Sequence, residues 1–538
     1  MDRSLPVWIL AALALVMLIV LPLGWLVSMS LHGTEGGATL AHYERAFGDP
    51  ALRTALWNTL ILAFWVGLAS LAIGAPMAWL VARTDLPGRR LMQHLIMASF
   101  VTPPFLGAVA WVMLAGPNAG ALNRLYRSLT GSEDPLFNVF TMTGLVFVVA
   151  IYTFPYVFIM VVNTLELIAS DLEEAASMLG APRLQVALTV TLPMVAPALL
   201  GGFILAVLQA IALFGSPAIL ALPAGFHTIT TQLWALFQYP PKVEVAAAFS
   251  MPLLLATALL LALQKRLLGR RGYAAVGGKG AARRRIPLGR WRYPALAGCL
   301  GVIACAIVLP YGILAKAAFS AAWAQPLTWQ NFTLGNFAFT FGYSSTQSAI
   351  VNTLELGVMT ACAGAVLAAL LAFLALAPVV IPGVVLAVGL FIAYTRPPLL
   401  LYGSLWILFV AYLTKEMPVG FQQSDATFRG IHPELEEAGR ILGAGRLRVL
   451  REITAPLARS GIIAAWCFIF IGVIRELSAS ILLFTPNTKV ISVLIFDLKE
   501  EGQLGAVAVL GLFMLAATFA TVAVMQGLLG RDVMGVKE

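Results

Sequence analysis

Apolar runs of about 20 residues recur from one end of this chain to the other, and nothing else restricts its fold as strongly. At about 1.5 Å per residue, each run is long enough to cross a bilayer as a helix. Only 11% of the 538 residues are charged, against about 25% in a water-soluble globule, so most of the chain is expected in lipid. The runs fall at 7–29, 55–82, 94–115, 141–163, 196–220 and 243–264, then at 294–318, 347–373, 377–395, 399–422, 460–484 and 505–528. The first is longer than the core of a signal peptide and lacks a small-residue cleavage site, so it reads as a retained span. The expected fold is all-α and integral to the membrane, with about 12 transmembrane helices in two parallel six-helix repeats.

Charge sets the expected orientation. Residues 264–292 hold ten Lys or Arg and no acidic residue, including Arg283, Arg284 and Arg285. Such a segment stays in the cytoplasm. Six spans precede it, which places both chain termini inside, in keeping with Arg3. The net charge of +9 is thereby explained without nucleic acid. The four cysteines (Cys299, Cys305, Cys362 and Cys467) lie in apolar segments without disulfide or metal-ligand spacing and read as packing residues.

The two halves share a polar cassette. Residues 173–193 read EEAASMLGAPRLQVALTVTLP and residues 436–456 read EEAGRILGAGRLRVLREITAP, 263 positions later, with 11 of 21 residues identical. Pro155 and Pro418 keep that offset. Farther upstream the register slips: Asn58, Thr59 and Leu60 match Asn352, Thr353 and Leu354 at 294, so about 31 residues are missing from the second half. Part of the loss is the loop 83–90. Residues 356–395 hold no charge, and two helices must fit there, broken around Pro378 and Pro382.

Each cassette is built to start and stop a short helix. Ser170 with Glu173 makes a possible capping box, and Asp171, Glu173 and Glu174 bring negative charge to the first turn. Pro433 suits the first helical position of the second copy, followed by Glu434, Glu436 and Glu437. Gly180 and Gly443 can end the helix with positive φ, and Pro182 or Gly445 discourages continuation. Arg183 and Arg446 open a second helix. The alternative, an amphipathic loop lying on headgroups, does not account for duplication at a fixed offset.

The pattern E-A-A, three residues, Gly, nine residues and I-x-L-P resembles the signature loop of binding-protein-dependent ABC importer permeases. Glu174, Ala175, Ala176, Gly180 and Val190-Thr191-Leu192-Pro193 match nearly throughout. Glu437, Ala438, Gly439, Gly443 and Ile453-Thr454-Ala455-Pro456 depart at Gly439 and Ala455. The resemblance implies two fused permease domains, 1–264 with coupling loop 170–195 and 293–538 with coupling loop 432–458, joined by the basic cytoplasmic linker 265–292. It also implies two copies of a cytoplasmic ATPase subunit, each gripping one coupling helix, and an external solute-binding protein in the bacterial inner membrane system. This chain would then be non-catalytic and bind no cofactor; ATP and Mg would sit on the ATPase.

A narrower resemblance concerns cargo. Phe214-Gly215-Ser216-Pro217-Ala218, Leu222-Pro223-Ala224-Gly225 and Thr230-Thr231 resemble fused permeases of ferric-iron importers, as does Arg475-Glu476-Leu477-Ser478-Ala479-Ser480. Fused permeases for thiamine and for phosphonates are close in length and organisation. The residues themselves show no iron chemistry: His32, His42, His94, His227 and His432 are scattered, and no cluster has ligand spacing.

Residues 272–280 superficially resemble a phosphate-binding loop, but Lys279 comes one position late and Gly280 replaces the hydroxyl residue, so they read as flexible linker. Lys415, Glu416, Arg475 and Glu476 lie in apolar segments, where ionisable groups are costly and usually paired or functional. Their counterparts at the 263 offset are Tyr152, Thr153, Ala212 and Leu213. Judged by depth along their helices, they are expected to form two separate local sites. With Phe214, Ser216, Pro217 and Ser478 they make up the candidate pathway or gate. Two rival classes are a secondary transporter, which needs no duplicated charged helices, and a membrane-bound enzyme, for which no catalytic cluster is present.

Overall fold

The computed structural model describes residues 5–33, 37–167, 171–269, 285–373, 380–397, 399–431 and 433–529. Ser170, the segment 270–284 with its glycine-rich stretch, Pro378 and His432 lie outside them. Among the described residues the regular elements are helices, and the only bridges are isolated: His32 with Ala38, Thr84 with Ile286, and Ser320 with Phe332. The all-helical membrane fold expected from the apolar runs is the fold observed.

Among the described residues eight helices are long and apolar enough to cross a membrane: Ile9–Leu31, Pro50–Arg83, Met142–Glu166, Ala187–Ala212, Val243–Leu267, Gly289–Ala318, Ser344–Ala372 and Leu504–Leu528. Two further runs are broken. Arg89–Val101 meets Pro104–Ala115 at 96°, and Arg451–Leu457 meets Arg459–Ile474 at 58°. The remaining two runs appear as the short helix Gly383–Tyr394 and the helix Leu405–Arg429. Pro103 and Pro382 precede their helices in extended conformation, where a proline suits the helix entrance and pushes its predecessor out of helical geometry.

Four five-residue π-helical turns occur, at Val16–Val20, Ala187–Thr191, Ala304–Val308 and Leu450–Thr454. Each ends two residues before a proline: Pro22, Pro193, Pro310 and Pro456. A proline has no N–H to give the carbonyl four residues back, so the preceding turn can widen to i+5 bonding without losing a bond it would otherwise make. The four form two pairs across the repeat.

The repeat is traced in hydrogen bonds. Asn58 Nδ2 donates to the His227 carbonyl at 2.9 Å, and Thr59 Oγ1 accepts from Ile229 N at 2.8 Å. Asn352 Nδ2 donates to the Lys489 carbonyl at 2.9 Å, and Thr353 Oγ1 accepts from Ile491 N at 2.9 Å. The matched Asn-Thr pairs therefore do the same work, supporting the start of a helix in a later part of their own half. The missing residues can also be placed. The offset is 294 at Asn58, 279 at Pro103 and Pro382, and 263 at Pro155 and Pro418. The first drop falls at the helix Arg89–Val101 and the second at the helix Ala121–Thr130.

Two compact units are present, and they cut across the sequence halves. One comprises 1–49, 233–251 and 317–538; the other comprises 50–232 and 252–316. Within the first, the helix Gly383–Tyr394 packs on the N-terminal span: Tyr394 Oη donates to the Met17 carbonyl at 2.8 Å. A Cβ added at Gly389 would come within 2.9 Å of the Pro22 carbonyl oxygen. Within the second unit, Thr102 and Tyr311 hydroxyls meet at 2.5 Å, tying the span Gly289–Ala318 to the broken span. Each unit thus takes its first span from the other half of the chain.

Candidate functional site

The cassettes fold as the glycine and proline positions dictate. The first helix, Asp171–Met178, ends at Gly180 with φ +86°, and the second, Pro433–Ile441, ends at Gly443 with φ +82°. Ala181 N donates to the Ala176 carbonyl and Ala444 N to the Gly439 carbonyl, each at 3.1 Å. This is the six-to-one bond of a Schellman end, which a left-handed glycine makes possible. Short helices Arg183–Val186 and Arg446–Val449 follow, each leading into a π turn. Both copies are helix, tight reversal, helix.

Exposure separates the faces of these hairpins. Met178 and Leu179 are 85% and 89% exposed, and Ile441 and Leu442 are 85% and 87% exposed. These pairs occupy equivalent positions in the repeat. A large apolar side chain so nearly bare has not found its partner within the chain, and here two are bare twice over. The sequence pattern marks Glu173, Glu174 and the alanines, whereas these four residues stand out by their exposure. The available signal was an apolar pair placed immediately before the helix-ending glycine in both copies. Ala175, Ala438 and Glu437 are exposed beside them.

Glu173 belongs to the opposite, inward side. Thr191 Oγ1 donates to Glu173 Oε1 at 2.8 Å, and Arg83 Nη2 lies 3.6 Å from the same oxygen. Glu173 therefore ties the cassette helix to the π turn and to the end of the helix Pro50–Arg83. The backbones of Glu174, Arg183, Glu436 and Arg446 lie in the cassette helices, while their side chains lie outside the described set.

The departure at Gly439 has a local cause. A Cβ there would come within 2.6 Å of Ile453 Cδ1 and 3.3 Å of Val449 Cγ2. In the first copy the two positions hold Ala176 and Val190. Ala with Val in one copy and Gly with Ile in the other exchange about one carbon across a single contact, which close packing tolerates when total volume is kept.

The intramembrane charges form one cluster, contrary to the two-site expectation. Lys415 Nζ is ion-paired with Glu476 Oε2, and Lys415, Glu476 and Arg475 all act electrostatically on Glu416. The depth argument failed because the helix carrying Lys415 continues to Arg429 rather than ending near 422. Lys415 is then 14 residues from its end, about 21 Å. Arg475 lies 16 residues beyond the start of Arg459–Ile474, about 24 Å away, so the depths agree. The formal charges, two cations and two carboxylates, balance, as expected for ionisable groups at such depth.

Glu476 organises its surroundings. Its Oε1 accepts from Ala479 N at 2.7 Å, and its carbonyl accepts from Ser480 Oγ at 2.9 Å and Ser492 Oγ at 2.5 Å. Ser480 Oγ also meets Tyr412 Oη at 2.7 Å. Ser478 and Gly383 close the arrangement: a Cβ at Gly383 would lie 3.1 Å from Ser478 Cβ and 3.2 Å from Lys415 Nζ. Glu416 lies against Gly472, the Cβ of any other residue there falling 2.2 Å from its Oε2. In the other unit, Phe214, Ser216 and Pro217 are buried at the start of the helix Gly215–Leu220, and Ser216 Oγ donates to the Pro104 carbonyl at 3.0 Å. This contact fastens that helix to the first turn of Pro104–Ala115.

The family described as "Binding-protein-dependent transport system inner membrane component" matches residues 70–272 and 354–534. The ferric transport system permease protein FbpB of Actinobacillus pleuropneumoniae is 23% identical over 509 residues, covering 90% of this chain and 72% of the relative. The sulfate transport system permease protein CysT of Salmonella typhimurium is 31% identical over 242 residues, covering 44% of this chain and 84% of the relative. Among solved structures, a bacterial ABC transporter involved in import of the acidic polysaccharide alginate aligns with a TM-score of 0.40 at 19% identity, over 50% of this chain and 98% of that one.

Proposed function

We propose that this chain, which belongs to the family of binding-protein-dependent transport system inner membrane components, carries ferric iron inward from an external binding protein, driven by ATP hydrolysis on two separate ATPase subunits. It is a multi-pass inner membrane protein and the permease part of its transport system. The observation that carries the ATPase reading is the duplicated hairpin with its bare apolar pairs, Met178 and Leu179 in one copy and Ile441 and Leu442 in the other. One hairpin per half supports one ATPase subunit per hairpin. Both hairpins and the basic linker would then lie in the cytoplasm with the chain termini, as the positive-inside bias favours. ATP and Mg would be held by those subunits.

In this reading the ATPase grips the apolar pairs together with Glu174, Ala175, Glu437 and Ala438. Gly180, Gly443, Arg183 and Arg446 shape the reversal behind them. Lys415, Glu416, Arg475, Glu476 and Ser478 in one unit, and Phe214, Ser216 and Pro217 in the other, are the segments whose rearrangement opens the pathway. The iron assignment is supported by the ferric permease relative, which aligns along nearly the whole chain, and by the motif resemblances at 214–231 and 475–480. The sulfate relative is more similar but over less than half of the chain. Uptake of radiolabelled ferric iron, sulfate, thiamine and a phosphonate should be measured in cells with and without this chain. Loss of iron uptake alone is the expected result. Loss of sulfate uptake with iron unchanged would refute the cargo and leave the ATP-driven importer standing.

A further inference from the structure

The helix Pro50–Arg83 ends, and the span Gly289–Ala318 begins, at one place in the second unit. The backbone holds these ends together. Ile286 N donates to the Arg83 carbonyl at 2.9 Å, Asp85 N to the Ile286 carbonyl at 3.3 Å, and Leu288 N to Asp85 Oδ1 at 2.9 Å. The end of the basic linker is thereby stitched to the loop after Arg83. Around the seam lies a cavity of about 550 Å³ lined by Arg89, Arg90, Arg285 and Arg292, with Asp85 the one carboxylate among its described lining residues.

Four guanidinium groups do not gather without reason. Arg285 and Arg90 both act unfavourably on Arg89, and Glu166 offsets them only in part. Asp85 already accepts a backbone bond. The cavity is therefore cationic and prepared for an anion, and the hydrogen bonds that bring Arg285 beside Arg89 maintain the repulsion rather than relieve it. The planar donor forks of arginine suit phosphate oxygens. Position decides the source. The cavity sits where spans end, and Trp291 and Tyr293 stand 63% and 73% exposed beside it, the aromatic pair expected at headgroup level.

We propose that this cavity binds the phosphate of an anionic phospholipid headgroup. Basic pockets between membrane helices are suited to such headgroups. The loop that forms the cavity begins at Arg83, which reaches Glu173 of the first cassette helix, so the lipid braces the base from which that contact is made. The inference is independent of the cargo.

The test uses the full chain in neutral detergent, titrated with dioleoylphosphatidylglycerol, dioleoylphosphatidylcholine or inorganic phosphate while the thermal unfolding midpoint is followed. Phosphatidylglycerol should raise the midpoint saturably, and the other two should not. Arg285→Gln and Arg292→Gln change exposed side chains, so both variants fold, and each should weaken the phosphatidylglycerol response about fivefold. Arg290→Gln removes a neighbouring charge outside the cavity and should leave the response intact. Equal weakening by Arg290→Gln would reduce the effect to bulk surface charge and overturn the site. A response to inorganic phosphate matching that to phosphatidylglycerol would overturn the lipid assignment.

Discussion

Truncating the bare leucines tests the docking surface without disturbing the fold. Leu179 and Leu442 are almost fully exposed in the chain alone, so Leu179→Ala and Leu442→Ala should change its stability by no more than about 0.5 kcal/mol. Burying a leucine side chain is worth about 1.5–3 kcal/mol. If a groove on the ATPase covers each one, truncation should cost about 2 kcal/mol, or about 30-fold in affinity at that contact. Two contacts on one ATPase pair act together through a high effective concentration. Either single change is thus partly masked, while the double change exposes the sum of about 4 kcal/mol, on the order of a thousandfold. The assay is titration of the purified ATPase onto immobilised permease, alongside thermal unfolding of the permease and binding-protein-stimulated ATP hydrolysis in proteoliposomes. The expected pattern is an unchanged unfolding midpoint with lost association and lost stimulation. A double variant that binds the ATPase within twofold of wild type and transports at full rate would refute the assignment of these pairs to the interface.

Three further outcomes follow from contacts described above. Gly439→Ala should be overpacked by about 1–3 kcal/mol against Ile453, and adding Ile453→Val, which recreates the Ala176 and Val190 pairing, should restore most of the loss in an ATPase-association assay. Lys415→Met leaves the carboxylate of buried Glu476 without its ion pair and should destabilise the protein by about 3 kcal/mol or more, while the double variant with Glu476→Gln should recover much of this in thermal unfolding. Burial lowers the pKa of His227, and its Nδ1 is buried without a hydrogen-bond partner. Its contribution to stability is therefore full above the unfolded value of about 6.5 and lost as pH falls through the lower folded value; the fall in midpoint between pH 7 and pH 5 should be smaller in His227→Gln.

What was legible in the sequence was whatever depended on length, period or a conformation only one residue type adopts. The apolar runs marked the membrane helices, of which eight, or ten with the bent pairs, are long and apolar enough to span among the described residues, and Gly180 and Gly443 have the positive φ that their position before a break required. The Asn-Thr pairs marked the repeat because their amides and hydroxyls meet equivalent backbone groups. Three things were not legible. The helix holding Lys415 passes its apolar limit at 422 and runs to Arg429 through Gln423, Ser424 and Asp425, which belong to no apolar run, so the charges appeared to differ in depth. Glu173 and Glu174 are adjacent and chemically equal, and only the helix phase sends Glu173 toward Arg83 and Thr191. The docking pairs were hidden because Met, Leu and Ile beside a glycine read as ordinary helix packing until their exposure is seen. The exchange of first spans between units had no local signal, since apolar spans fit against many partners.

Each cassette helix is joined to the π turn that follows it by a contact that can be named. A docked helix moves its permease only if the contacts behind it hold while the ATPase pulls. In the first cassette Glu173 provides two: Thr191 in the π turn that leads into Leu192–Ala212, and Arg83 at the end of Pro50–Arg83. In the proposed mechanism a displacement of Asp171–Met178 would be passed to two spans at once. In the second cassette the missing Cβ of Gly439 lets Ile453 seat against the helix axis. That contact joins Pro433–Ile441 directly to the π turn Leu450–Thr454, ahead of the broken span. An apolar interlock of this kind depends on shape and is indifferent to salt, whereas the Arg83 and Glu173 contact, though largely buried, has charge in it. If the ATPase grips both hairpins as proposed, its pull reaches the π turn of each half, through the Thr191 hydrogen bond in the first and through the Ile453 contact in the second.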